Sequence, residues 1–390
     1  MKDTLREIRE LDRSIIALLM LGLFTSIGNG LINVLIQPYL KHLGLSPQDV
    51  GFLQFVSSIA TTLSLVPAAY LADMYGRKKI ALISLASSLP GFLLVVFTDS
   101  LSYMSIGFAL LGIGNALTAV TLNPLLADVA PREKLDVVAS ASQVLGLAGS
   151  SLGMGLSWLP QVVTGLSENL LQGYRLLMFV GGVVSTASFV FLMFVRDPNG
   201  TPRGFRLSFS RENFLLAGLS GLTAFGAGAS VWLINYYFMS KFSVEAGELG
   251  TRMLAETLLM IPATSLAPLV SEKLGTLKAV VVLQLLSIPF LLSTALPSSF
   301  PIAASLYTLR SLLMNAANPL MWALSMKIIG EEERSRYMML NTLAWQFMGG
   351  LGSAIGGWLM GVNYDYPLYF TATIYLLQAF LLYAFFKDKS

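Results

Sequence analysis

The chain has 390 residues, 55% hydrophobic and 12% charged, with a mean hydropathy of +0.69. Soluble domains carry about 25% charged residues, so the composition excludes a water-soluble globular protein and points to an integral membrane protein. Cysteine is absent and His42 is the lone histidine, which removes disulfides, thiol chemistry and HExxH-type metal sites. A net charge of +3 without a basic block offers nucleic acid no docking surface. No cofactor is expected.

In chain order, residues 1–13 are charged and are expected to form a short cytoplasmic helix. The apolar run that follows is too long for a signal peptide and lacks a small-residue cleavage site, so it reads as a retained first span. Charge-free runs then cover 14–40, 50–72, 80–98, 100–127, 137–167, 176–195, 213–240, 337–364 and 366–386. A shorter run, 257–271, follows Arg252 and Glu256. The stretch 279–326 is divided by the turn Pro297-Ser-Ser-Phe-Pro301. A membrane-spanning helix needs about 20 apolar residues, and these segments amount to twelve spans with short loops.

An even number of spans puts both termini on one side. With that side cytoplasmic, all but five of the 25 basic residues fall in inside segments, the exceptions being Lys41, Arg175, Lys241, Arg252 and Arg310. The excess of Lys and Arg in cytoplasmic loops selects this orientation. The two halves also resemble each other. At a shift of 199 residues Gly51 meets Gly250, Asp73–Gly76 meets Glu272–Gly275, and Thr98 meets Pro297. At a shift of 200, Asn115 meets Asn315 and Pro131–Lys134 meets Glu331–Arg334. The expected organisation is a first six-helix half, 1–195, a Gly-, Pro- and Arg-rich cytoplasmic linker, 196–212, and a second half, 213–390. Parallel halves of this kind place a binding site near the midplane between them.

After the second span the sequence reads Ala69-Tyr-Leu-Ala-Asp73-Met-Tyr-Gly76-Arg77-Lys78-Lys79. This resembles the loop signature of the major facilitator superfamily, GxLaDrxGrkxxl, with Ala69 and Met74 as departures, and the resemblance covers the whole chain. It implies an all-α membrane fold of twelve helices in two pseudo-symmetric halves, working as a monomeric secondary transporter among membrane lipids. It also implies a gating latch built on Asp73, Gly76, Arg77 and Lys78, with Glu272 and Gly275 as the degenerate second copy. Gly76 suits a turn with positive φ, and a carboxylate such as Asp73 is favoured near a helix N-terminus. A plain topology signal is the other reading of this loop.

Two departures separate the chain from the drug-exporter pattern. Phe108 stands where proton-coupled members carry an Arg in the fourth span. The fifth-span stripe Gly146, Gly149, Gly153 and Gly155 lacks the exporter proline, and close helix packing accounts for it equally well.

Ionisable groups inside spans are costly and mark function by default. Glu256, about 9 Å into the eighth span counted from Gly250, is the candidate proton carrier, with Arg252 four residues before it on the same face. A pair that simply satisfies itself is the alternative. Arg310 lies within the tenth span. Spans one, four, seven and ten line the cavity in the resembled family, which makes substrate contacts of Asn29, Asn33 and Gln37 (with Ser26), of Asn115 and Thr118, of Trp232, Asn235 and Tyr236, and of Arg310, Asn315 and Asn318. Interhelical hydrogen bonding is the competing explanation for each amide. Asn341, Trp345 and Gln143 are weaker candidates.

Gly218-Leu-Ser220-Gly221 spells a rhomboid-type GxSG, but a serine nucleophile needs a base in reach and His42 is expected on the opposite side. The expected function is alternating-access transport of a small molecule across the cytoplasmic membrane, with protons as coupling ion and amphipathic or drug-like compounds as exported cargo. The alternatives are symport or uniport of a polar or anionic solute, with Arg310 as the anion contact, or a lipid-like cargo.

Overall fold

The computed structural model describes residues 12–164, 169–196 and 210–387. The expected N-terminal helix, and the linker apart from its ends, lie outside these residues. Twelve long helical segments follow one another, and there is no strand among the described residues. In lipid every backbone N–H and C=O must be satisfied within the chain, which helices do locally.

The segments are α1 (Arg13–His42), α2 (Pro47–Tyr75), α3 (Arg77–Phe97), α4 (Leu101–Val129), α5 (Leu135–Gly155), α6 (Leu170–Ala187), α7 (Arg211–Ser230), α8 (Ala246–Leu274), α9 (Thr276–Ser293), α10 (Phe300–Ile328), α11 (Arg334–Val362) and α12 (Tyr366–Phe386). Short helical extensions continue α5 to Thr164 and α6 to Phe194. Ten of the twelve are long and apolar enough to cross a membrane by length and composition; the exceptions are α10 and α11. The protein is a multi-pass membrane protein.

Two expectations change. The eighth span is not short: α8 has 29 residues and starts at Ala246, where Glu245 and Glu248 form a reciprocal capping box. Ten residues past that start, Glu256 lies about 15 Å into the helix at 1.5 Å per residue. The seventh span is not continuous. A turn at residues 231–233 separates α7 from a second helical piece, Ile234–Phe242.

The internal repeat has one register. Helix starts at 47, 77, 101 and 135 recur at 246, 276, 300 and 334, each 199 residues on. Gly76 and Gly275 cap the equivalent helices α3 and α9 with φ of 94° and 80°. Asn115 therefore corresponds to Met314 and not to Asn315. One residue turns a helical side chain by about 100°, so the two asparagines do not occupy equivalent faces.

By contacts the chain forms two compact units, residues 1–39 with 60–204, and 40–59 with 205–390. In the first unit, α1 and α5 meet backbone to backbone. A Cβ at Gly153 would stand 2.2 Å from the Ile27 carbonyl oxygen, and one at Gly149 2.6 Å from that of Leu23. The glycine stripe of the fifth span is thus a packing device. A cluster including Ile15, Leu21, Leu125, Val138 and Leu192 closes one end of this unit.

In the second unit, α11 presents two glycine faces. Gly352 and Gly356 lie against the Phe225 and Ala229 carbonyls of α7, while Gly357 lies against the Pro47 carbonyl at the start of α2. A Cβ at Gly356 would meet the Ala229 oxygen at 2.0 Å. Gly356→Ala is therefore expected to lower thermal stability in detergent by about 1–3 kcal/mol, the range for overpacking. Gly155→Ala, with nothing within 4 Å of the new methyl, is expected to leave the melting curve in place; equal effects of the two would contradict this packing.

Candidate functional site

The second unit holds a buried ionic cluster built by α8, α10, α12 and the second piece of α7. Arg252 of α8, its side chain 5% exposed, donates from Nη1 to Glu256 Oε2 at 2.7 Å, one helical turn along. Its Nη2 donates to Asn235 Oδ1 at 3.3 Å, and its guanidinium lies over the rings of Phe238 and Tyr307, 5.5 and 5.2 Å from the centroids. The other Glu256 oxygen accepts from the Ser311 hydroxyl of α10.

Arg310, 2% exposed, is one residue before Ser311. Its guanidinium is set between Tyr307 and Tyr375, 5.6 and 5.3 Å from the two centroids, and Nη2 donates to the Tyr375 hydroxyl at 2.7 Å. No carboxylate pairs with Arg310 among the described residues. The Nε atoms of both arginines are buried without a hydrogen-bond partner. Two guanidinium groups therefore face one carboxylate, leaving an excess of one positive charge inside the protein. Buried charges are ordinarily paired, because desolvation otherwise dominates. Stacking on aromatic faces offsets part of that cost, by about 2 kcal/mol or more per contact when desolvated.

A hydrogen-bonded ladder runs down α10 from this cluster. Asn315 donates to the Ser311 carbonyl at 2.9 Å and to its hydroxyl at 3.1 Å, and Asn318 donates to Asn315 Oδ1 at 3.1 Å. Spacings of four and three residues keep all three on one helix face.

The sequence candidates fall into different settings. Arg252, Glu256, Arg310, Asn315, Asn318 and Asn235 come together. Trp232 packs on α11, its ring occupying the space where a Cβ on Gly349 would stand, 2.2 Å from Cη2. Tyr236 is buried and donates to the Leu45 carbonyl at 2.9 Å. In the first unit Asn29, Asn33, Asn115 and Gln143 are exposed, while Gln37 and Thr118 are half-buried. His42 pairs with Glu245 at 3.0 Å and not with Ser220.

In the loop motif, Arg77 binds Asp128 at 2.5 Å and the Pro124 carbonyl at 3.2 Å, and Lys78 donates to the Val195 carbonyl at 2.6 Å. Asp73 and Glu272 are exposed and form no ion pair among the described residues. Sequence reasoning missed Tyr307, Ser311 and Tyr375. Tyr307 carried a signal, since it stands three residues before Arg310 on one helix face; Ser311, one residue past Arg310, carried none. Tyr375 carried none, because α12 reaches Arg310 only through folding.

The family described as Major Facilitator Superfamily matches residues 18–353 and, again, 214–390. No curated protein matches the sequence. Among solved structures, a bacterial homologue of the iron transporter ferroportin in an inward-facing state is 18% identical with a TM-score of 0.77, over 95% of this chain and 98% of that one. A bacterial homologue of the human lysosomal transporter Spinster, inward-facing and occupied, is 17% identical with a TM-score of 0.75, over 95% of each chain. A D-xylose–proton symporter is 15% identical with a TM-score of 0.75, over 95% and 98%. At these identities the likeness is one of fold.

Proposed function

Because the chain belongs to the Major Facilitator Superfamily, a family of transporters and not of enzymes, we propose that it carries a small organic anion together with a proton across the cytoplasmic membrane, with both termini inside. One observation carries this reading: Arg310 is buried with no carboxylate partner among the described residues, beside an Arg252–Glu256 pair. An anion that reaches Arg310 and Arg252 supplies the missing negative charge and competes with Glu256 for Arg252. Once displaced, Glu256 takes up a proton. The anion and the proton bring no net charge together, so the loaded and empty carriers hold the same charge, and neither is penalised over the other on reorienting. On release Arg252 recaptures Glu256, which gives up its proton.

Export of amphipathic or drug-like compounds against protons is the second reading. The exposed Trp322 and Met338, 59% and 40% accessible on α10 and α11, favour it by offering apolar contact.

Liposomes with a pH-sensitive dye inside and an acidic exterior separate the two readings. Monocarboxylates, dicarboxylates and phosphate esters would be offered in turn, then amphipathic cations. Saturable anion uptake that acidifies the lumen is expected. Cation flux with opposed proton movement and no anion flux would overturn the anion reading and leave the exporter.

A further inference from the structure

A second feature of this unit does not depend on the anion reading. Between α7, α9, α10, α11 and α12 lies a cavity of about 260 Å³, whose lining includes Gln284, Asn341, Gln378, Trp322 and Trp345. This is room for several waters, or for a small ring with several substituents. None of the lining residues is Asp, Glu, Lys, Arg or His, so nothing there holds an ion by charge.

The side-chain carbonyl oxygens of Gln284, Asn341 and Gln378 are all buried without a hydrogen-bond partner. Gln284 and Gln378 are 4% and 1% exposed. They stand on α9 and α12, each flanked in sequence by leucines or other apolar residues. Leaving one such acceptor unpaired costs about 1–3 kcal/mol, and most buried polar side chains in proteins are satisfied. Three orphans around one cavity are a shared feature of that cavity and not three separate packing accidents. Small-molecule sites combine an apolar or aromatic wall with a few polar groups that fix orientation. Here the indoles of Trp322 and Trp345 supply the wall, and the amides supply acceptors and donors.

We infer that this cavity is a binding site for a neutral polyhydroxylated molecule, such as a ring polyol or monosaccharide, whose hydroxyls donate to the three amide oxygens while its C–H face lies on indole. A hydroxyl both donates and accepts, so it also matches the amide N–H groups. Asn318 lines the same cavity and ends the ladder from Glu256, so occupancy is adjacent to the ionic cluster through hydrogen bonds.

The test uses the full chain in nanodiscs. Tryptophan emission and thermal unfolding would be followed while inositol, glucose, ribose and sorbitol are titrated, with sodium chloride titrated separately. Saturable change with at least one polyol is expected, lost in Trp322→Phe. Gln378→Met and Asn341→Leu are each expected to weaken binding by about tenfold, one hydrogen bond's worth. Without ligand, the same variants are expected to melt at the wild-type temperature or above it, because each removes an unpaired acceptor. The inference is overturned if no polyol gives a saturable change, which leaves a water-filled cavity. It is equally overturned if sodium alone gives the signal, or if both folded amide variants bind like wild type.

Discussion

Glu256→Gln is expected to abolish proton-driven accumulation while leaving anion exchange between the two sides of the membrane. Gln keeps the size of the side chain and an oxygen for Arg252 and Ser311, but it cannot cycle between charged and neutral forms. The variant is also expected to be less stable. Removing the only carboxylate beside Arg252 and Arg310 among the described residues leaves two buried cations uncompensated, and breaking a buried pair in this way costs about 3–5 kcal/mol. Adding Arg252→Gln to Glu256→Gln should restore much of the melting temperature, because the pair is then removed as a unit. Thermal unfolding in detergent and dye-loaded liposomes measure the two effects separately. Full proton coupling in a folded Glu256→Gln protein would exclude Glu256 as carrier.

Arg310→Gln is expected to act with the opposite sign on stability. Arg310 has one hydrogen bond, to Tyr375, and no carboxylate partner among the described residues, so its removal withdraws an uncompensated charge. The melting temperature is expected to hold or rise. Transport should fall: losing the buried partner of a bound charge costs about 2–5 kcal/mol, roughly 30- to several thousand-fold in apparent affinity. Arg310→Lys keeps the charge but not the planar group stacked between Tyr307 and Tyr375, and its affinity is expected to lie between those of wild type and Arg310→Gln. Unchanged anion affinity in Arg310→Gln would remove this residue from the site.

The two variants separate a structural role from a functional one. A cluster that served stability alone would lose stability on either substitution. An anion site held in a strained electrostatic state loses it on one and gains it on the other, the pattern of stability given up for function.

Much of this was legible in the residues themselves. Arg252 and Glu256 were readable as a pair because helical geometry puts positions four apart on one face. Gly76 and Gly275 were readable as turn formers because positive φ suits a residue without a Cβ. The offset between halves was readable in part. Landmarks at 199 held, while those at 200 were a residue out, since chance identities between asparagines do not respect helix ends. The length of α8 was misjudged because two charged residues interrupted its apolar run, although a capping box fixes where the helix begins.

The amino-acid sequence by itself determined that this is a membrane protein of helical spans in two related halves, because hydropathy and loop signatures are local properties. It also determined which few ionisable groups must be costly. Only the tertiary structure decided that Tyr375 faces Arg310, that Ser311 completes Glu256, and that Gln284, Asn341 and Gln378 meet around one cavity. Those residues lie on different helices, and which faces of two helices meet depends on close packing of glycine against backbone, as at Gly356 and Ala229. That contact is set by three-dimensional fit and not by the spacing of residues along the chain.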